Sequence, residues 1–157
     1  MLKTEFKVND IGELNWRLGI QITFTDDGIT LSQTRFIDKI LNRFSMQDCK
    51  PVSTPINSNH LLKAFSEDDE CTDATAYQQI IGSLMYLVTG TRPDLSYTNT
   101  HLFQFHSSPS TQHLTAAKRV FRYLQGTKER NLFYHWNNQL KLTAVTDASY
   151  GNCLDTR

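Results

Sequence analysis

The spacing of apolar and polar residues in the first third of the chain predicts a β-hairpin followed by a helix. Apolar and polar residues alternate over residues 18–24, Asp26-Asp27-Gly28 has the composition of a turn, and an extended run resumes over residues 29–32. Alternation on both sides of a turn is typical of a hairpin. Over residues 33–44 the apolar positions recur at helical spacing instead, which predicts an amphipathic helix.

The pattern in the rest of the chain predicts a loop, three helices and a second hairpin. Residues 49–75 are rich in Pro, Ser and Asn and include the acidic run 67–70. Such a composition favours an exposed loop, and a magnesium site on the acidic run is the alternative. Apolar residues then follow helical spacing, with breaks at Gly90, at Pro93, near Pro109 and near Gly126, and two β-rich runs come last. We expect helices over residues 77–89, 94–106 and 110–124, and strands over residues 131–136 and 140–146.

The predicted fold class is therefore α+β, with an N-terminal β-hairpin, a central helical bundle and a C-terminal β-hairpin. A length of 157 residues suits one domain, by a prior of about 150 residues per domain. The chain is 39% hydrophobic and 20% charged, with seven Gly and four Pro, which argues against a disordered or collagen-like protein. Because the sequence stops directly after a predicted strand, we expect it to be a fragment.

The net charge limits which partners the sequence can indicate, and the cysteine content indicates the cellular compartment. Sixteen basic and sixteen acidic residues give a net charge of zero, so a claim of nucleic-acid binding must depend on a local cluster. The three cysteines form no CxxC pair, which favours free thiols in a reducing compartment. No N-terminal signal sequence is seen, and the longest apolar stretch is far shorter than the ~20 residues that span a bilayer. We therefore expect a cytoplasmic protein without a membrane partner.

The strongest local cluster of charge lies in the third predicted central helix. Between Lys118 and Arg130 the chain has five basic residues and one acidic residue, a local charge of +4. Lys118 and Arg122 are i,i+4 neighbours, Arg119 lies beside them, and aromatic residues are near. Cations that neutralise phosphates, together with aromatic rings that stack on bases, are typical of a nucleic-acid groove. The alternative is a solvated helix face whose C-terminal cations complement the helix dipole.

Other candidate chemistry is weaker. Asp147 follows the last predicted strand, where a carboxylate can hold Mg²⁺, although a lone Asp more often forms a turn. The five histidines lack the spacing of a helical metal site, so capping or packing roles are favoured. The sequence contains no glycine-rich phosphate loop and no GxSxG nucleophile motif.

Four blocks of sequence nevertheless carry a specific resemblance that covers residues 5–157. In their order and spacing they resemble the C-terminal part of a reverse transcriptase from a copia-type LTR retrotransposon polyprotein. The blocks are Asp10-Ile11-Gly12-Glu13-Leu14 through Leu18-Gly19-Ile20 and on to Leu31-Ser32-Gln33; Cys49-Lys50-Pro51-Val52-Ser53-Thr54-Pro55; Gly82-Ser83-Leu84-Met85-Tyr86-Leu87 with Thr91-Arg92-Pro93-Asp94; and His113 with residues 116–127, followed by Thr146-Asp147-Ala148.

The resemblance implies three segments with distinct roles in an RNA-directed DNA polymerase. Residues 1–32 would be the end of the palm, with Leu18 and Gly19 in the primer grip. Residues 33–128 would form a helical thumb that follows an RNA or DNA template–primer, which favours nucleic-acid binding by Lys118, Arg119 and Arg122. Residues 129–157 would begin a truncated RNase H-like domain, with Asp147 as its first catalytic, Mg²⁺-binding carboxylate.

The chain lacks several residues of the family pattern, and these absences bear on whether it can be catalytic alone. Nothing matches the YxDD carboxylates of the polymerase, and most RNase H carboxylates have no counterpart, so we expect no catalysis without the rest of the enzyme. Mg²⁺ is accordingly expected only in the complete enzyme. Arg17 stands where an aromatic residue usually precedes Leu-Gly, and Asn131 replaces a common Gly. The alternatives are a decayed remnant that self-associates through exposed apolar helix faces as a protein-interaction module, or a chain with no selected function.

Overall fold

The computed structural model describes residues 12–57, 62–64, 66, 69–136 and 144–146. In this part of the chain the fold is mixed α/β, with a four-stranded antiparallel sheet and four α-helices. The strands are β1 (Trp16–Arg17), β2 (Ile20–Phe24), β3 (Gly28–Ser32) and β4 (Leu132–His135). The helices are α1 (Thr34–Arg43), α2 (Ala74–Gly90), α3 (Ser96–Phe103) and α4 (Thr111–Thr127), and a 3₁₀ turn (Pro93–Leu95) precedes α3.

The sheet joins the N-terminal hairpin to the strand that follows the last helix. Its strand order is β1-β2-β3-β4, and the predicted first hairpin is confirmed, with Phe24 opposite Ile29. β4 confirms the predicted strand near residue 131, but it pairs with β3, where Leu31 lies opposite Leu132. Most of the second strand predicted for a C-terminal hairpin lies outside the described residues, and residues 144–146 are irregular. One sheet therefore contains residues that the sequence analysis assigned to a palm end and to an RNase H-like start.

Leu18 and Gly19 form a turn, which corrects the strand predicted over residues 18–24. They are the two central residues between β1 and β2, and their φ angles are 49° and 74°. Positive φ at both positions is the signature of the type I′ turn, whose twist matches the strands of a hairpin. Alternation of residue types indicated a strand here because it carries no information on the sign of φ.

The helices follow the predicted stripes, with shifted ends. α1 agrees with its prediction, whereas α2 begins three residues early because the Asp73 carboxylate accepts hydrogen bonds from the backbone of Thr75 (2.9 Å) and Ala76 (3.1 Å). The helix predicted over residues 94–106 is divided into the 3₁₀ turn and the shorter α3. α4 runs to Thr127, within one residue of the end predicted near Gly126.

The helices pack their apolar faces on one another to form the core. α1, α2 and α4 each contribute a buried stripe, so most of the apolar helix surface is covered inside the molecule. Each such side chain stabilises the fold by about 1.5–3 kcal/mol when fully buried. In the described residues no helix is both long enough and apolar enough to span a membrane. The largest fully buried apolar side chains of the core are Ile37, Leu41, Tyr77, Ile80, Ile81, Leu84, Leu87, Leu95, Leu102, Phe121 and Leu124.

Candidate nucleic-acid interface

The start of α4, which carries the candidate basic residues, is fixed by a capping box. The Ser110 N–H donates to Nδ1 of His113 (2.9 Å), and the Nε2 atom of His113 lies 2.8 Å from the Lys63 carbonyl. The His113 ring is fully buried and stacks on Phe105 with 4.0 Å between ring centroids. This histidine therefore has the capping and packing role that the sequence favoured over metal binding.

Lys118, Arg119 and Arg122 lie together along α4, as their spacing predicted. The Arg119 guanidinium donates to the Thr54 hydroxyl (3.0 Å), and the Arg122 Nε–H donates to the Lys50 carbonyl (2.8 Å). Both arginines are half-buried, and they hold the loop that contains Lys50 and Thr54 against the helix. Lys118 is exposed, and its ammonium makes no hydrogen bond or ion pair with any residue that the structure describes. The helix therefore presents one unrestrained cation beside two that are held in place.

The other two cations of the predicted cluster are engaged elsewhere. The Lys128 ammonium lies 3.2 Å from an Asp38 carboxylate oxygen on α1, and Arg130 donates to the Tyr123 hydroxyl (3.0 Å). Two of the five cations in the predicted cluster are therefore bound to other side chains, and Lys118, Arg119 and Arg122 remain as a surface cluster. Of the four aromatic residues predicted to supply surface near this cluster, Tyr123 is buried within α4, which corrects its expected role. The other three lie on β4 and directly after it, with 39–54% of their surface exposed: Phe133, Tyr134 and Trp136.

A buried polar network, which the sequence analysis missed, fixes the end of α4. Arg92 is 1% exposed and binds both carboxylate oxygens of Asp94, at 2.9 and 2.8 Å. It also donates to the Thr127 hydroxyl (2.8 Å) and carbonyl (3.2 Å). The Tyr123 hydroxyl donates to Asp94 as well (2.8 Å). The available signal was the Arg-Pro-Asp sequence, in which proline begins a turn between two opposite charges.

This network shifts the pKa values of two of its members. Burial alone would raise the pKa of Asp94, but hydrogen bonds from Arg92 and Tyr123, together with the Arg92 charge, outweigh it and lower the pKa. The pKa of Tyr123 is raised, first by burial and then by its hydrogen bond to the Asp94 carboxylate. Asp94 is therefore held as an anion between its two donors.

The predicted primer-grip residues lie at the tip of the β1–β2 turn. Leu18 is 80% exposed, and its carbonyl accepts a hydrogen bond from the Tyr86 hydroxyl of α2. A Cβ atom at Gly19 would lie 2.8 Å from the same hydroxyl oxygen, so a side chain there would displace the end of Tyr86, and the positive φ of this position favours glycine in addition. The turn is thus fixed to the helical core by one tyrosine, and the Leu18 side chain faces solvent.

The predicted Mg²⁺ ligand Asp147 lies outside the described residues. Within the described ranges no three His, Cys, Asp or Glu side chains are grouped so that they could hold a metal ion. Cys49 is half-buried and the pKa of its thiol is raised by burial, whereas Cys71 is exposed; both are free thiols. The described residues therefore do not fit a metal centre.

Comparisons with known proteins agree with the resemblance read from the sequence. The profile of a family described as "Reverse transcriptase (RNA-dependent DNA polymerase)" matches residues 1–58. The retrovirus-related Pol polyprotein from transposon RE1 of Arabidopsis thaliana is 41% identical over 154 residues, which are 98% of this chain and 10% of the polyprotein. The corresponding polyprotein from transposon TNT 1-94 of Nicotiana tabacum is 31% identical over 163 residues, covering 99% of this chain and 12% of the relative.

A shorter relative matches the same region. An uncharacterized mitochondrial protein of Arabidopsis thaliana is 36% identical over 156 residues, which are 99% of this chain and 64% of that protein. This chain thus spans less than two thirds of the length of these relatives. No solved structure matches the sequence. The chain belongs to the reverse transcriptase family found in retrotransposon Pol polyproteins.

Proposed function

We propose that this chain holds the template–primer of a retrotransposon reverse transcriptase during RNA-directed DNA synthesis. The observation that carries the proposal is the grouping of Lys118, Arg119 and Arg122 on one helix. Phosphates attract such cations, and neutralising them releases condensed counterions, which is the main source of affinity for a nucleic-acid backbone.

The bracing of two of these cations supports the proposal. Arg119 and Arg122 already have restricted side chains, because they are hydrogen-bonded to Thr54 and Lys50. Ordering a flexible side chain costs about 0.5–1.5 kcal/mol on binding, and part of this cost is avoided when the side chain is held beforehand. α4 itself is fixed at its start by Ser110 and His113 and at its end by the Arg92 network. Two of the three cations are thus held in place, on a helix that is itself fixed at both ends.

The finer roles that the family resemblance implies belong to the same proposal. Residues 1–32 act as the end of the palm, with Leu18 and Gly19 as the primer grip. Residues 33–128 act as the thumb, and residues 129–157 begin the RNase H-like domain. Mg²⁺ belongs to the complete enzyme, where Asp147 is the residue of this chain that would contact it and where the ion supplies charge stabilisation for phosphoryl transfer. The reducing cytoplasm is the compartment that we propose.

A salt titration tests the proposal. Fluorescence anisotropy with a labelled RNA–DNA primer–template at several salt concentrations should give binding that weakens as salt rises. Each phosphate contact contributes about 0.9 to the slope of log affinity against log salt, so Lys118→Glu should lower that slope by about 1. Lys39→Glu is the matched control, because Lys39 is an exposed lysine on α1 and the charge change is identical. Binding without salt dependence, or an equal response of the two variants, would refute the proposal.

The helical interaction module remains an alternative prediction. The apolar stripes of the helices pack mainly inward, and the large apolar side chains that remain exposed on α2 and α3 are Met85, Tyr97 and Phe103. Light scattering across a concentration series tests self-association through these residues. A molecular mass that stays monomeric contradicts the module, and a mass that rises with concentration and returns to the monomer in Tyr97→Ser supports it.

A further inference from the structure

A groove of about 500 Å³ opens directly beside the basic cluster. Its apolar lining includes Leu62 together with Leu102 of α3 and Ala116 of α4. Lys118, Arg119 and Arg122 line the same groove. Apolar and cationic groups therefore border one cavity, whose volume is within the range of about 300–1,000 Å³ that small-molecule sites have.

Arg119, which lines this groove, has an unsatisfied donor. Its Nε atom is buried and has no hydrogen-bond acceptor among the residues that the structure describes. One terminal nitrogen of the same guanidinium is used by the Thr54 hydroxyl. A buried N–H group without an acceptor is unfavourable, so an oxygen-bearing anion beside Arg119 would supply what the described part of the chain lacks.

We propose that the groove binds one unstacked nucleotide, with the base against the apolar lining and a phosphate at the cations. This inference rests on the proposed function and specifies which part of the nucleic acid the surface recognises. A nucleotide unites the two chemistries that the groove offers, since its base has an apolar face and its phosphate pairs with arginine in a bidentate manner. An inorganic phosphate would leave the apolar lining exposed, and a purely apolar ligand would leave the three positive charges without an anion.

The source of the nucleotide follows from the position of the groove. Because the cations that line it are those proposed to follow the backbone, a strand bound there passes the mouth of the groove. A base that is not paired is available to enter, at a cost of only a few kcal/mol for unstacking at most. The strand itself, at a single-stranded overhang of the template, is therefore the expected source.

Anisotropy titrations with matched substrates test the inference. A primer–template with a single-stranded overhang should bind about tenfold more tightly than the blunt duplex of the same length, in the range that one stacked base contributes. Ala116→Leu fills the apolar part of the groove and keeps every charge, so it should abolish this preference while binding of the blunt duplex is unchanged. Thr115→Phe does the same from an exposed position that also lines the groove, which keeps the test valid if the first variant misfolds.

A control and a competition complete the experiment. Thr75→Leu adds similar apolar bulk at an exposed position near the start of α2, and it should retain the preference for the overhang. Excess mononucleotide that removes the preference would show that the groove accepts free nucleotide, and a preference that persists would show that the strand supplies it; both results support a nucleotide site. Equal binding of overhang and blunt duplex would overturn the inference while the proposed function stands. Loss of all binding would refute the proposed function as well.

Discussion

Removal of the Asp94 carboxylate tests whether the buried network around Arg92 holds the fold together. In Asp94→Ala the Arg92 side chain, 1% exposed in the native protein, keeps as acceptors among the described residues the hydroxyl and carbonyl of Thr127. Breaking a buried ion pair from one side costs about 3–5 kcal/mol, because the remaining charge is left without its partner. The Asp94 side chain is 33% exposed, so solvent screens part of the pair and the lower end of that range, about 3 kcal/mol, applies.

Urea denaturation followed by circular dichroism measures this loss. Small domains have stabilities of about 5–15 kcal/mol, so about 3 kcal/mol is a large fraction of the total. At a slope of about 2 kcal/mol per molar urea, the midpoint should fall by about 1.5 M. Tyr123→Phe removes the hydroxyl that donates to the same carboxylate and accepts from Arg130, and it leaves the Arg92–Asp94 pair in place, so it should cost about 1–2 kcal/mol.

The pH dependence of Asp94→Asn separates the charge from the shape of the side chain. The pKa of Asp94 is lowered in the folded protein, so its stabilising contribution is complete above the unfolded value of about 3.9 and is lost as the pH falls through the lower folded value. The gap in unfolding free energy between native protein and Asp94→Asn should therefore be full at pH 7 and shrink below pH about 4. A gap below about 1 kcal/mol at pH 7, or one that is independent of pH, would refute the reasoning.

Two further predictions concern local backbone geometry. Asp73→Ala removes the side-chain cap of α2 and should lower the unfolding free energy by about 1 kcal/mol, whereas Asp73→Ser should recover most of it; equal losses would exclude a capping role. Gly19→Val places a branched side chain at φ +74° and within 2.8 Å of the Tyr86 hydroxyl, so it should cost about 2 kcal/mol, measured as a lower urea midpoint. Gly19→Asn should cost less, since Asn tolerates positive φ, and the reverse order would contradict the turn geometry.

The helical part of the fold was predictable because its signal is local. Apolar residues at helical spacing place Ile37, Ile40 and Leu41 on one face of α1, and these are the residues that the core buries. The pairing of β4 with β3 was not predictable in the same way. Leu31 and Leu132 lie about a hundred residues apart in the chain, and no pattern within either strand indicates the partner of that strand.

The same distinction between local and long-range signals applies to the candidate site. Lys118 and Arg122 share a helix face because residues four apart do so, and the structure confirms that placement. The ion pair between Lys128 and Asp38 depends on how α1 packs near the end of α4, and the spacing of residues within α4 does not indicate this packing. Arg92 was missed because arginine is almost always exposed, and its burial is possible only through acceptors from Asp94 and Thr127.

Residues from different sequence blocks of the family resemblance form hydrogen bonds with one another in the fold. Gln33, which ends the first block, accepts a hydrogen bond from Thr91 (2.9 Å) at the start of the Thr91-Arg92-Pro93-Asp94 block. The loop of the second block is held by Arg119 and Arg122 of the fourth.

Arg119 and Arg122 thus have two roles. Each supplies positive charge to the surface, and each holds the loop that contains Lys50 and Thr54. A substitution at Arg122 that weakens nucleic-acid binding would therefore be ambiguous, since it releases the Lys50 carbonyl as well as removing a cation. Lys118 carries no such structural contact among the described residues, so a change in its charge leaves the scaffold intact. For this reason the salt slope of Lys118→Glu, and not that of Arg122→Glu, is the measurement that decides whether this surface binds a phosphate backbone.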